Sequence, residues 1–158
     1  MREDSWLYFN AMNGEEHKLP FPEECIINEM IPGHDTDKEI ENILSKRHIY
    51  DVNSLNEFGH TPLSTAAYAG SIKFVKLLVE LGADVMLKDS DGWTAMHFAT
   101  ATKNYEIAKF LMSVGADTKD LTNDGQKPLD FVKDKNTRTF LTKYSERCVM
   151  SNMRTSYC

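Results

Sequence analysis

The stretch Asn56-Glu57-Phe58-Gly59-His60-Thr61-Pro62-Leu63-Ser64-Thr65-Ala66-Ala67-Tyr68-Ala69-Gly70 is a turn that runs into a helix. Gly59 supplies the positive φ that the turn needs. Thr61 can cap a helix, and Pro62 suits its first position, where the missing N–H would be unpaired anyway. Ala66, Ala67 and Ala69 make a slim helix that lets neighbours approach closely, and Gly70 ends it. A second helix is predicted over Ser71 to Leu81, with Ile72, Val75, Leu78 and Val79 on one apolar face. Gly82 closes that helix, and Asp91-Gly92-Trp93-Thr94 begins the pattern again.

Working outward, the recurrence has a fixed period. Gly59, Gly92 and Gly125 are spaced 33 apart, as are the triplets Gly82-Ala83-Asp84 and Gly115-Ala116-Asp117. Leu63, Met96 and Leu129 share one phase, and so do Ala66, Ala99 and Val132. So many coincidences in one phase mark an internal repeat of turn, helix and helix, and such units bury their apolar faces only by stacking.

A period of 33 with the boxes Thr61-Pro62-Leu63-Ser64-Thr65-Ala66, Thr94-Ala95-Met96-His97-Phe98-Ala99 and Lys127-Pro128-Leu129-Asp130 resembles the ankyrin repeat. The fold expected is an all-α ankyrin-repeat solenoid of about four helix-turn-helix units, with degenerate caps as its first and last units. Glu23 to Met30 and Thr36 to Lys46, separated by Pro32-Gly33, form the worn first unit, with Ile26, Ile27 and Met30 at helical spacing. Leu129, Phe131 and Val132, then Phe140, Leu141 and Tyr144, form a shortened last hairpin. The expected organisation is an acidic, flexible segment over 1–17, the repeat domain over 18–144 and a disordered tail over 145–158.

Charge and cysteine usage bound the function. The chain has 158 residues and a net charge of -6. Residues 1–36 hold two cations against eight acids, and the remainder balances. A basic nucleic-acid-binding face is therefore not expected. Cys25, Cys148 and Cys158 show no metal-ligand spacing and form no disulfide framework, which points to a reducing intracellular setting, the cytoplasm first and the nucleus also open. The acidic opening Met1-Arg2-Glu3-Asp4 is not a secretory signal, and no apolar run reaches membrane length. Neither a membrane nor a cofactor is expected.

No catalytic pair stands out among His17, His34, His48, His60 and His97, so the chain is read as a non-enzyme. His97 occupies the box position that bonds backbone and Thr groups between turns in the family it resembles. Asp89-Ser90-Asp91-Gly92 fails as a calcium loop, because the Gly comes too early and Thr100 replaces the closing Glu. Met86, Met96 and Met112 are read as core filler. The resemblance implies a concave, partner-binding face built from turns and first helices. Candidates there are Phe58, His60, Tyr68, Ser90, Asp91, Trp93, Ala101, Asp124 and Gln126. Trp93 is either an interface anchor or a ring laid across the next turn.

A narrower resemblance lies ahead of the repeats. Lys18-Leu19-Pro20-Phe21, followed by an entry helix, is similar to the basic-Val-x-Phe strand of myosin-phosphatase-targeting-like regulatory subunits of protein phosphatase 1. The resemblance implies that the protein is a monomer outside its complex, and that Lys18, Leu19 and Phe21 add as an extended strand to the phosphatase catalytic subunit. Leu19 stands in place of a β-branched residue, Pro20 removes an N–H, and Glu15 and Glu16 replace basic neighbours. The competing reading has Phe21 and Pro22 stapling the entry of the stack. A rival function from the same fold is an adaptor or inhibitor of a signalling or transcription protein, binding through its concave face.

Overall fold

The computed structural model describes residues 18–155. The expected 1–17 segment lies outside them. The element order is β1 (Leu19–Pro20), α1 (Glu24–Asn28), α2 (Thr36–Ser45), a 3-10 turn (Arg47–Ile49), β2 (Tyr50–Asp51), α3 (Pro62–Ala69), α4 (Ile72–Glu80), α5 (Ala95–Ala101), α6 (Tyr105–Ser113), a second 3-10 turn (Pro128–Phe131) and α7 (Lys135–Thr155). These pair into four helical hairpins in chain order, as the 33-residue period requires.

Local chemistry fixes each start and stop. Ser64 N–H donates to Thr61 Oγ1 at 3.0 Å, and Thr61 N–H donates back to Ser64 Oγ at 3.0 Å, closing both ends of the cap on α3. In α5 the imidazole of His97 takes the role of Ser64, accepting Thr94 N–H at 3.1 Å. Ser71 caps α4 by accepting Phe74 N–H at 3.2 Å. Gly70 ends α3 at φ 79°, and Lys103, at the same position of the next unit, holds φ 63°. A left-handed conformation is free for glycine and strained for lysine.

The core runs continuously through all four units, from Ile26 and Ile43 through Leu63, Phe74 and Leu78 to Met96, Ile107, Leu111, Val132 and Leu141. The first helices carry the small residues Ala66, Ala67, Ala95 and Ala99, all buried. Accordingly α3 packs extensively on α5, and α5 on the Pro128–Phe131 turn, whereas α4 and α6 touch sparsely. The tighter row of first helices bends the stack toward itself, which puts these helices and the preceding turns on its inner face.

Both ends differ from expectation. At the N-terminus, Leu19–Pro20 is extended but already paired in parallel with Tyr50–Asp51. Phe21 is 4% exposed and meets the Tyr50 ring edge-on at 6.2 Å. Leu19 and Phe21 are thus engaged in the stack's own entry, as in the competing reading of this segment: burying an aromatic side chain stabilises more than leaving it in water. Ile26 is buried as expected, but Ile27 and Met30 point outward. At the C-terminus, the first helix of the last hairpin shrinks to one 3-10 turn, and its second helix is long. The expected disordered tail from Ser145 is corrected to helix as far as Thr155. Asp134 accepts Thr137 N–H at 2.6 Å at the start of α7, and Leu141, Tyr144 and Cys148 recur on the face that meets the core. Phe140 lies off that face and is exposed.

Candidate functional site

The turns between hairpins build one edge of the inner face. In each, the same main-chain bond closes the loop: Asn56 N–H to His60 O at 2.9 Å, Asp89 N–H to Trp93 O at 2.8 Å and Thr122 N–H to Gln126 O at 3.0 Å. A side chain at the first position braces it. Asn56 Oδ1 accepts the Phe58 and His60 N–H groups, Asp89 Oδ1 accepts those of Asp91 and Trp93, and Thr122 Oγ1 accepts that of Gln126. Successive tips are tied to each other through Ser90 N–H to Gly59 O at 3.1 Å and Asn123 N–H to Asp91 O at 3.0 Å. The approach is so close that a Cβ on Gly92 would lie 2.8 Å from the Asn123 nitrogen.

Held this way, aromatic side chains form a continuous ladder across three units. Tyr68 meets Phe98 edge-on at 6.1 Å, and Trp93 meets Phe98 at 4.9 Å and Phe131 at 4.7 Å. His60 lies 5.6 Å from Phe98. Tyr68 is 65% exposed, while Trp93, Phe98 and Phe131 are half-buried. Trp93 therefore lies across the next unit, with part of its ring at the surface.

The nine face candidates separate in the structure. Tyr68, Trp93 and His60 join the ladder. Phe58, 74% exposed, stands apart at the first tip, beside a shallow pocket lined by Pro20, Glu24 and Ile27. Asp91 and Asp124 are exposed at the second and third tips, and their carboxylates meet no partner among the described residues. Ala101 is exposed at the end of α5. Ser90 and Gln126 are exposed but structurally engaged: Ser90 ties the tips, and the Gln126 carbonyl accepts His97 Nε2–H at 3.2 Å. Of the strand candidates, Lys18 is exposed, Leu19 is half-buried and Phe21 is in the core.

Sequence reasoning missed Phe98 and Phe131. Phe98 sits between the box residues His97 and Ala99, and its position three residues before Ala101 on the same helix was the available signal. Phe131 is read from sequence only as part of the shortened last hairpin, with no role on the inner face. The braces Asn56, Asp89 and Thr122 also recur at the 33-residue period, a signal hidden by their different chemistry.

His97 and Cys25 are structural. His97 is fully buried, and burial lowers its pKa below the ordinary histidine value. Because Nδ1 accepts Thr94 N–H, the proton sits on Nε2. Burial first, and the Glu39 charge second, push the Cys25 thiol up to about 12, so it is inert. Among the described residues no cluster of His, Cys, Asp and Glu could hold a metal ion, and no helix is long and apolar enough to cross a membrane.

A family model described as "Ankyrin repeats (3 copies)" matches residues 27–131. The chain belongs to the ankyrin-repeat family. The ankyrin stack is a protein-interaction module. The chain is 29% identical to protein phosphatase 1 regulatory subunit 27 of Mus musculus and of Homo sapiens, over 74% of its own length and 75% of theirs. It is 44% identical to ankyrin repeat and SAM domain-containing protein 6 of Rattus norvegicus, over 51% of this chain and 9% of that protein. It is 35% identical to the Notch-regulated ankyrin repeat-containing protein of Xenopus tropicalis, over 48% of this chain and 68% of that protein.

Proposed function

We propose that this ankyrin protein is a non-catalytic regulatory or targeting subunit of protein phosphatase 1, working in the cytoplasm and holding its partner on the inner face of the stack. The observation that supports the binding mode is the aromatic ladder of Tyr68, Trp93, Phe98 and Phe131, which spans three units of the inner face and remains partly exposed. Aromatic side chains supply large contact area at low entropy cost and dominate interface energetics. The phosphatase assignment is supported by the relatives named as its regulatory subunits, which align over about three quarters of both chains. The Lys18–Phe21 strand contributes by closing the stack, since docking Phe21 elsewhere would empty its own core site.

Co-precipitation with the phosphatase catalytic subunit tests this. Wild type and Lys18→Glu are expected to retain the phosphatase equally, while Tyr68→Ala combined with Phe58→Ala loses about tenfold or more in affinity. Absence of the phosphatase from the wild-type complex rejects the assignment. Loss through Lys18→Glu alone returns the contact to the strand. The match to the Notch-regulated relative favours one alternative, an adaptor or inhibitor of a signalling or transcription protein, for which the same inner-face variants lose a different partner.

A further inference from the structure

The fold leaves its inner face with acidic side chains and without cations. Among the described residues, the segments that build the inner face are α1, the three tips 56–60, 89–93 and 122–126, α3 and α5. They carry Glu24, Glu57, Asp89, Asp91 and Asp124 and no lysine or arginine. The second helices mix the two signs, with Lys38, Lys73, Lys76 and Lys109 beside Asp37, Glu39, Glu41, Glu80 and Glu106. Lys103 and Lys127 stand just outside the inner segments. Asp89 is buried and braces its own turn, so it takes no part in binding. Glu57, Asp91 and Asp124 are different. All three are exposed at tips, one per unit, and none of their carboxylates meets a donor among the described residues. Glu57 and Asp91 share their tips with His60 and Trp93, which both contact Phe98 in the ladder.

We infer that the inner face recognises a basic, arginine-bearing segment of a partner protein, with guanidinium groups stacked on the exposed Tyr68 ring and the partly exposed Trp93 ring and paired with the tip carboxylates. A guanidinium is planar and weakly hydrated, stacks on aromatic faces and bonds a carboxylate with two parallel N–H groups, whereas an ammonium is a strongly hydrated point charge. Cations are held over Trp, Tyr and Phe faces within about 6 Å of the ring centre. Carboxylates at one edge and rings beside them match both halves of that side chain. The same carboxylates repel nucleic acid and acidic peptides, so the occupant is a basic protein segment. This rests on the inner-face half of the proposed function and not on the phosphatase assignment.

The probe is a fluorescein-labelled peptide of alternating Arg and Ala, with Lys/Ala and Glu/Ala peptides as comparisons, titrated with the full chain and followed by anisotropy. The Arg peptide is expected to bind saturably and more tightly than the Lys peptide, and to weaken as salt is raised. The Glu peptide is expected not to bind. Combining Glu57→Gln, Asp91→Asn and Asp124→Asn should raise Kd at least tenfold, and Tyr68→Ala should erase most of the preference for Arg over Lys. Glu80→Gln with Glu106→Gln, on the outer helices, should leave Kd unchanged. All these side chains are exposed, and circular dichroism checks that each variant folds.

The inference is overturned if the Arg peptide fails to saturate, if the Glu peptide binds as well, or if the outer pair matters as much as the tip triple. Phosphatase capture by the tip triple is run in parallel. Capture with no peptide binding rejects the arginine site and keeps the phosphatase reading. Peptide binding with no capture by wild type does the reverse.

Discussion

At the scale of single residues, His97 shows how a polar group earns its place in a core. It is fully buried, yet each ring nitrogen has a partner: Nδ1 accepts Thr94 N–H and Nε2–H donates to the Gln126 carbonyl. That arrangement requires the neutral ring, because a proton on Nδ1 would face the Thr94 N–H. Burial accordingly lowers its native pKa below the ordinary value of about 6.5. The unfolded chain then binds more protons in acid than the native one. The stability from this site is complete above about pH 6.5 and drains away as pH falls toward the lowered native value, by at most about 1.4 kcal/mol per pH unit. Urea midpoints of wild type should fall between pH 7.5 and 5.5, and those of His97→Gln should fall less. Parallel curves for the two would show that His97 is not the titrating group. The structural role of His97 was legible in the sequence from its box position. Which backbone group it meets was not, since the Gln126 carbonyl belongs to the next unit.

At the scale of elements, glycine and lysine at equivalent turns provide an internal comparison. Lys103 occupies the left-handed conformation that Gly70 holds one repeat earlier, at a cost of about 1–2 kcal/mol for a side-chain-bearing residue. Lys103→Gly should therefore raise stability by about 1 kcal/mol, part of the gain being offset by the freer unfolded chain. Gly92 is the opposite case. It has φ 78°, and an added Cβ would meet the Asn123 backbone. Gly92→Ala should cost more than about 1 kcal/mol and raise amide exchange at Asn123 first. Denaturant curves of the two variants should move in opposite directions, and equal shifts would disprove the close tip approach. The helices themselves were readable from caps, apolar spacing and the 33-residue period. The contacts between tips were not, because main-chain bonds leave no residue signature.

At the scale of the molecule, the middle of the stack was plain from sequence and its ends were not. Interior units obey the repeat because each has neighbours on both sides. The end units make one-sided contacts, so they use devices outside the pattern: a two-residue strand pair at the entry and a helix of 21 residues at the exit. Among the described residues beyond Tyr144, Cys148 alone packs against the core, too sparse a signal for a periodicity argument. The exit helix is integral all the same. Leu141 is fully buried, and Leu141→Ala should cost about 2–5 kcal/mol by urea denaturation. Ending the chain after Tyr144 removes Cys148 and the 3.2 Å hydroxyl contact between Thr118 and Ser145, and should cost about 1 kcal/mol. A truncated chain as stable as the whole would show that the last turns do not brace the stack.

The main-chain ties between tips also bear on how such a surface changes over generations. Gly59 O, Ser90 N–H, Asp91 O and Asn123 N–H hold neighbouring turns together without calling on the side chains at 57, 58, 91 or 124. Those positions can mutate freely while the architecture stays intact. Selection on what the protein binds and selection on whether it folds then act on separate sets of atoms, and a lineage can exchange one partner for another without passing through an unstable ancestor.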